Sequence, residues 1–184
     1  YFISFTLSAQ DIWSPLESMK IKSISQTEIS NDGKSIAYVV REPIMEGKKS
    51  EYLSQIWVTD IESKENIQYT FNQKSSSSPK FSPDGKKIAF LSSRSGKNQI
   101  WIMNTLGGEA RMLTKEKKGV RSIKWSPDGK MISFLKSDDD TEDEIKSKEN
   151  KTDVILVDKN FKYSHIYSYH FCLLYTSPSP RDST

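Results

Sequence analysis

The sequence is short of cysteine, of long apolar runs and of any concentration of one charge, and each shortage removes a class of function. Its one cysteine, Cys172, lies in a stretch that matches nothing else in the chain. Disulfide frameworks, metal-thiolate sites and cysteine nucleophiles are therefore excluded from the remainder. No apolar run approaches the roughly 20 residues that a membrane-spanning helix needs, so no membrane span is expected. The 27 basic and 24 acidic residues are interspersed and sum to +3, without the basic stripe that holds nucleic acid. A Gly-x-Ser-x-Gly nucleophile turn is missing. Gly107-Gly108 is not a phosphate loop, because no Lys-Ser/Thr and helix start follow it. No cofactor is implied. What is present suffices for a folded domain: 184 residues, 35% hydrophobic and 11% aromatic, can bury a core.

The two ends stand apart from the rest. Residues 1–10 (YFISFTLSAQ) are apolar and end in small or polar residues. They read as the end of a secretory signal with cleavage near Ala9 or Gln10, its charged start lying upstream, which implies a secreted or periplasmic protein. The alternative is a buried strand carrying Phe2, Ile3, Phe5 and Leu7. Ser14-Pro15-Leu16-Glu17 has the form of a helix-start capping box, so residues 11–22 are expected to be a short helical linker. At the other end, the eleven residues Cys172–Asp182 resemble the conceptual translation of a transposon-type sequencing adapter. Residues 172–184 are accordingly read as adapter-derived rather than as a natural Ser/Pro-rich tail.

Between the ends one pattern occurs three times: Ile29-Ser-Asn-Asp-Gly-Lys34, Phe81-Ser-Pro-Asp-Gly-Lys86 and Trp125-Ser-Pro-Asp-Gly-Lys130. Each copy precedes a short apolar run and has the residues of a tight turn, with Asn31 replacing proline in the first. These are hairpins between a first and a second strand. A third strand is marked by Gln55-Ile56-Trp57, Gln99-Ile100-Trp101 and His165-Ile166-Tyr167. Alternation puts the aromatics on equivalent faces and the isoleucines opposite. From third-strand Trp to the next Asp is 27 residues in both cases (57 to 84, 101 to 128), whereas from each Asp forward to its aromatic is 25, 17 and 39. In the second repeat the constant stretch predicts strands over 99–103, 110–114 and 120–125. All length variation falls between second and third strands, on one face of the array. Repeat periods of 52 and 44 residues, four strands each, define an all-β fold, a partial β-propeller of about three four-stranded blades over 23–171. Three blades do not close a ring, so further blades are expected in a longer parent.

Other stretches carry a more specific resemblance. Arg41–Leu53 (REPIMEGKKSEYL), Leu91–Asn98 (LSSRSGKN) with Gly107–Ala110, and Thr141–Glu144 followed by Val157–Lys162 are similar to the blade insertions of bacterial dipeptidyl and acylaminoacyl peptidases of the prolyl oligopeptidase family. The resemblance covers residues 11–171 in motif order. It implies a two-domain serine peptidase whose N-terminal propeller gates and positions peptide substrate above an α/β-hydrolase domain bearing the catalytic triad. No triad residue maps onto this chain, so the fragment itself is expected to be inactive. A non-enzymatic, TolB-like periplasmic propeller that scaffolds protein partners is the alternative. It would show similar blades without the long insertions.

Few side chains suggest chemistry. Asp138–Glu144 is the sharpest charge run; it reads as a solvated loop tip flanked by Lys136, Lys146 and Lys148, or as an acidic arm for a peptide's α-amino group. Glu142 and Glu144 are the substrate-binding candidates. An EF-hand-type calcium loop would require a glycine that the run lacks. Trp57, Trp101 and Trp125 read as inter-blade core rather than as an aromatic binding surface. His165 reads as a polar strand residue, since neither a nucleophile nor a partner carboxylate is apparent.

Three blades leave an unpaired edge and an uncovered face, so residues 11–171 expressed alone are expected to associate or aggregate. A monomer that melts sharply and reversibly in two states would contradict this.

Overall fold

A computed structural model describes residues 14–46, 49–150 and 162–171. The signal-like segment 1–10 and the tail 172–184 lie outside the described residues. Turn chemistry sets each blade's first hairpin. The Asp carboxylates of the three repeats accept from the hydroxyls of Ser30, Ser82 and Ser126 at 2.6, 2.5 and 2.6 Å. They also accept from the backbone N–H of Lys34, Lys86 and Lys130 at 3.1, 3.1 and 3.0 Å. Each serine Oγ accepts in turn from the amide five residues on, at 2.9 Å in all three copies. Gly33, Gly85 and Gly129 close the turns at φ near 70°, a region that glycine enters without steric cost. Asn31 adds a bond that proline could not make: its side-chain amide donates to the Pro83 carbonyl of the next blade at 3.0 Å.

The hairpins open three antiparallel sheets. A short helix, α1 (Pro15–Met19), is capped by Ser14, whose Oγ accepts from Glu17 N–H at 3.1 Å. The first sheet follows in the order β1 (Ser23–Ile29), β2 (Ser35–Glu46), β3 (Lys49–Asp60), β4 (Asn66–Gln68). The second is β5 (Ser76–Phe81), β6 (Lys87–Ser92), β7 (Gln99–Asn104), β8 (Arg111–Met112). The third contains β9 (Arg121–Trp125), β10 (Met131–Ser137) and β11 (Ser164–His170), with a helix α2 (Glu142–Glu149) between the last two. Trp57 pairs with Tyr38, Trp101 with Phe90 and Tyr167 with Phe134. The third-strand aromatics are thus equivalent, as their spacing predicts.

Two strands are shorter than the spacing predicts. Thr114 leaves the β8 ladder because its hydroxyl donates to Gln99 Oε1 at 2.8 Å and accepts from Ile100 N–H at 2.9 Å. The first blade has the same buried clamp, Thr70 on Gln55 and Ile56 at 2.5 and 2.9 Å. Val120 stays outside β9 because its N–H donates to the Asn98 carbonyl at 2.8 Å. Gly119 allows that approach: its φ is +79°, and a Cβ there would stand 2.8 Å from the same carbonyl oxygen.

The sheets stack face to face. Ala37, Val39, Ile56 and Val58 of the first blade bury against Phe81, Ile88, Phe90 and Met103 of the second. Ala89, Leu91 and Ile100 on the second blade's other face bury against Val120, Ile123, Ile132 and Phe134 of the third. Fully burying such a side chain is worth about 1.5–3 kcal/mol, so the inter-blade layers dominate the fold's stability. Trp101 and Trp125 pack against these layers, and the Trp125 indole donates to the Lys80 carbonyl across the blade gap at 3.1 Å. Contact between blades runs chiefly through the first strands, β5 against β1, β2 and β3, and β9 against β5 and β6. The blades therefore fan out from that side, as in a propeller.

Each first strand carries a bulge at the matching place. Gln26, Ser78 and Ser122 have φ of 52°, 54° and 55°, a left-handed conformation unfavourable without glycine. Cross-blade bonds offset part of that strain. Gln26 Oε1 accepts from Ser78 N–H at 2.7 Å, and Lys80 pairs with Glu28 at 2.5 Å.

The serine hydroxyl, then the lysine amide, hold the Asp32, Asp84 and Asp128 carboxylates below the usual range. Their folded pKa values are depressed, so the stability they contribute is present above about pH 4 and is lost as pH falls through the folded values. Replacing all three by Asn should lower the melting temperature at neutral pH and flatten its decline on acidification. Parallel melting-temperature curves for the two proteins between roughly pH 6 and pH 2 would contradict this.

Candidate functional site

The three connections between second and third strands lie at one end of their blades. In the first blade β2 and β3 run twelve residues each, against six for β6 and β7. Pairing continues out to Glu46 opposite Lys49. At 3.2–3.4 Å per residue the extra pairs form an arm about 20 Å long. Arg41 lies 3.8 Å from the Tyr52 ring centroid, and Tyr52 and Met45 are exposed. Lys22 pairs with Glu42 at 2.8 Å and anchors the arm's base.

The second blade has only a short turn there, and it holds Arg94. The guanidinium sits 4.6 Å from the Trp101 ring centroid and 5.4 Å from that of Phe90. It donates to Ser92 Oγ at 3.1 Å and, with the Asn72 amide oxygen turned toward it, reaches Asn72 through both terminal nitrogens at 3.0 Å. Partial burial lowers the Arg94 pKa. Stacking and neutral acceptors satisfy this side chain locally, which makes it a fastening for the blade edge. The LSSRSGKN stretch pointed to this loop but not to the role of its arginine.

The third connection corrects the expectation of a solvated tip at Asp138–Glu144. Lys118 pairs with Asp140 at 2.6 Å, and Lys136 with Glu116 at 2.8 Å and Asp139 at 3.8 Å. Lys162 pairs with Glu144 at 2.5 Å and donates to the Asp139 carbonyl at 3.1 Å. Bonding to Glu116 raises the Lys136 pKa. His165 does have a partner carboxylate: Asp138 Oδ1 lies 3.0 Å from its Nε2, while Asp138 Oδ2 accepts from Tyr163 N–H at 3.2 Å. His165 occupies the place of the clamping glutamines Gln55 and Gln99, and here it ties the strand to the insert instead. Sequence reading could not find Lys118 and Lys162 because they join the acidic run only through tertiary packing.

The two candidate residues are placed differently. Glu144 completes a capping box, its Oε2 accepting from Thr141 N–H at 2.8 Å and Glu144 N–H donating to Thr141 Oγ1 at 3.3 Å. The Lys162 bond, then the Thr141 amide, hold its pKa below the ordinary value. Glu142 is exposed on the first turn of α2 beside Asp143. Ser168 Oγ lies 3.1 Å from His170 Nε2. The two are separated by one residue on a single strand, with no nucleophile turn, and the arrangement is not that of a catalytic triad. Among the described residues no group of three or more His, Cys, Asp or Glu could hold a metal ion. No helix among them is long and apolar enough to cross a membrane.

Stacked four-stranded antiparallel sheets, first strands together and insertions on one face, define a β-propeller domain. The chain belongs to the family described as the Tricorn protease N-terminal beta propeller domain, which matches residues 49–149. It is 35% identical over 76 residues to the uncharacterized peptidase YuxL of Bacillus subtilis (strain 168), covering 41% of this chain and 11% of that protein. An acylaminoacyl peptidase solved in complex with Z-Gly-Gly-Phe-chloromethyl ketone aligns at 26% identity and a TM-score of 0.59, over 71% of this chain and 20% of the peptidase. The putative TolB of Agrobacterium tumefaciens shares the fold, at 20% identity and a TM-score of 0.51, over 79% of this chain and 61% of its own. The propeller is thus an N-terminal propeller of the prolyl oligopeptidase-family type. The chain spans only 11% of its curated relative's length.

Thr141→Ala should remove the α2 cap, at a cost of about 0.5–2 kcal/mol to the helix. Amide exchange over residues 145–149 should speed up while β6 and β7 stay unchanged. Unaltered exchange in α2 would show that the ion pairs alone hold the insert.

Proposed function

We propose that this propeller is the substrate-gating part of a secreted or periplasmic serine exopeptidase whose α/β-hydrolase domain belongs to a longer parent chain. Its role is to limit access to the active site and to orient peptides, and hydrolysis is the work of the missing domain. The observation that carries the reading is the concentration of elaboration on one face. A hairpin arm and a charge-braced helical insert stand on either side of the short second-blade turn, on a propeller of peptidase type. A bare scaffold gains nothing from such one-sided growth, which is why the TolB-like reading ranks second.

Peptide contact is assigned to the insert. Glu142 is an exposed carboxylate there, beside the exposed Asp143, and suits a peptide's α-amino group. Glu144 acts with it by fixing the helix that presents it. Specificity of the dipeptidyl or acylaminoacyl kind belongs to this same proposal.

Sequencing the locus past codon 171 tests the reading first: more blades and then a Gly-x-Ser-x-Gly motif are expected, and a stop codon directly after the last blade would sink it. In the full-length parent, Glu142→Gln should raise KM several-fold for peptides with a free α-amino group, leave N-acylated peptides unaffected and leave kcat unchanged. Equal effects on both substrate types would remove the assignment.

A further inference from the structure

The connection between β6 and β7 meets the two connections that enter and leave the second blade. Ser93 N–H donates to the Ser75 carbonyl at 3.3 Å, and Val120 N–H to the Asn98 carbonyl at 2.8 Å. Gln99 Nε2 donates to the Glu116 carbonyl at 2.8 Å. Segments 70–75, 92–98 and 114–120 thus form one surface at the elaborated end of a blade that is covered on both faces. They carry six basic residues, Lys74, Arg94, Lys97, Lys115, Lys117 and Lys118, and one acid, Glu116. That sum of +5 exceeds the +3 of the whole chain, so the fold collects here what the sequence scatters.

Most of this charge is uncompensated. The third blade uses only two of these residues, Asp140 meeting Lys118 at 2.6 Å and Lys136 meeting Glu116 at 2.8 Å. Lys74, Lys97, Lys115 and Lys117 are exposed and pair with no carboxylate among the described residues. Arg94 is held by neutral acceptors, so its charge adds to the field without being neutralised. A surface of one sign raises the local concentration of ligands of the other. The insert bordering the patch has the opposite character, with seven acids to two lysines over 138–149. A polyanion such as nucleic acid would be repelled there, whereas a peptide presents an amine as well as carboxylates.

We propose that this surface binds carboxylates of peptides that reach the propeller, with the α-amino end toward the insert. The inference takes its source of peptide from the peptidase reading and its chemistry from the patch alone.

Fluorescence anisotropy on the full-length parent, treated with a sulfonyl fluoride so that hydrolysis cannot intervene, tests it. The probes are a side-chain-labelled peptide rich in glutamate, its glutamine counterpart, and both as C-terminal amides. The glutamate peptide should bind roughly tenfold tighter than the glutamine amide, and salt should shrink the advantage by screening exposed charges. Loss on glutamine exchange or on amidation supports the proposal and tells which carboxylate is read. Lys97→Glu combined with Lys117→Glu should weaken the glutamate peptide roughly tenfold and leave the glutamine amide unchanged. Lys86→Glu combined with Lys130→Glu, the same charge change in turns at the opposite end, should affect neither. All four side chains are exposed, so folding should survive, and circular dichroism checks this. Equal affinity for acidic and neutral peptides, equal effects of the two double variants, or equally tight binding of an oligonucleotide of matching charge would overturn the proposal. Because anisotropy reads binding, a parent that cleaves no peptide would sink the peptidase reading without touching this one.

Discussion

The structure depends on one constraint: each small sheet is apolar on both faces and has no core of its own. A lone four-stranded blade would leave Ala89, Leu91 and Ile100 on one side, and Phe81, Ile88 and Phe90 on the other, open to water. Stacking solves this twice for the second blade, whose second-strand residues Ile88, Ala89 and Phe90 are all fully buried. The neighbours obtain the same benefit on one face only. Everything else follows from holding the sheets in register. The bulges at Gln26, Ser78 and Ser122 turn the first strands so that they can lie side by side. Asn31, Gln26, Lys80 and Trp125 then tie adjacent blades by polar contacts that an apolar layer alone could not orient.

Elaboration is placed where that constraint is weakest. Turns of the Ser-x-Asp-Gly-Lys type are fixed by their own hydrogen bonds and have no room for change. The connections between second and third strands lie beyond the last stacked residues, so they can lengthen without disturbing a layer. The first blade lengthens by continuing its ladder into an arm. The third uses a helix instead, and pairs its acidic run with lysines from three different segments. A charge run that the composition leaves in solvent becomes a braced platform, with Glu142 at its exposed edge.

Much of this was legible in the residues. The turn motif is local chemistry, so three copies and their spacing suffice to locate the hairpins and the shared place of Trp57, Trp101 and Tyr167. The Gln–Thr clamp was available too: Gln55 with Thr70 and Gln99 with Thr114 have the same separation, and neither threonine sits in a plausible turn. The positive-φ bulges were not legible, because Gln26, Ser78 and Ser122 have no residue type in common that favours the left-handed region. Nor were the partners of the acidic run. Lys118 lies in the preceding connection and Lys162 follows the helix, and only the folded path brings them to Asp140 and Glu144. His165 shows both sides of the matter. Its place in the repeat was visible, while its carboxylate was hidden in the insert.

The central claim is that a blade owes its structure to its neighbours and not to its own sheet. A peptide spanning residues 76–114, the second blade alone, measures this directly by circular dichroism and thermal melting. The account predicts a disordered spectrum without a cooperative transition, since both apolar faces would be exposed. A monomeric peptide with a β-sheet spectrum and a cooperative melt would contradict it.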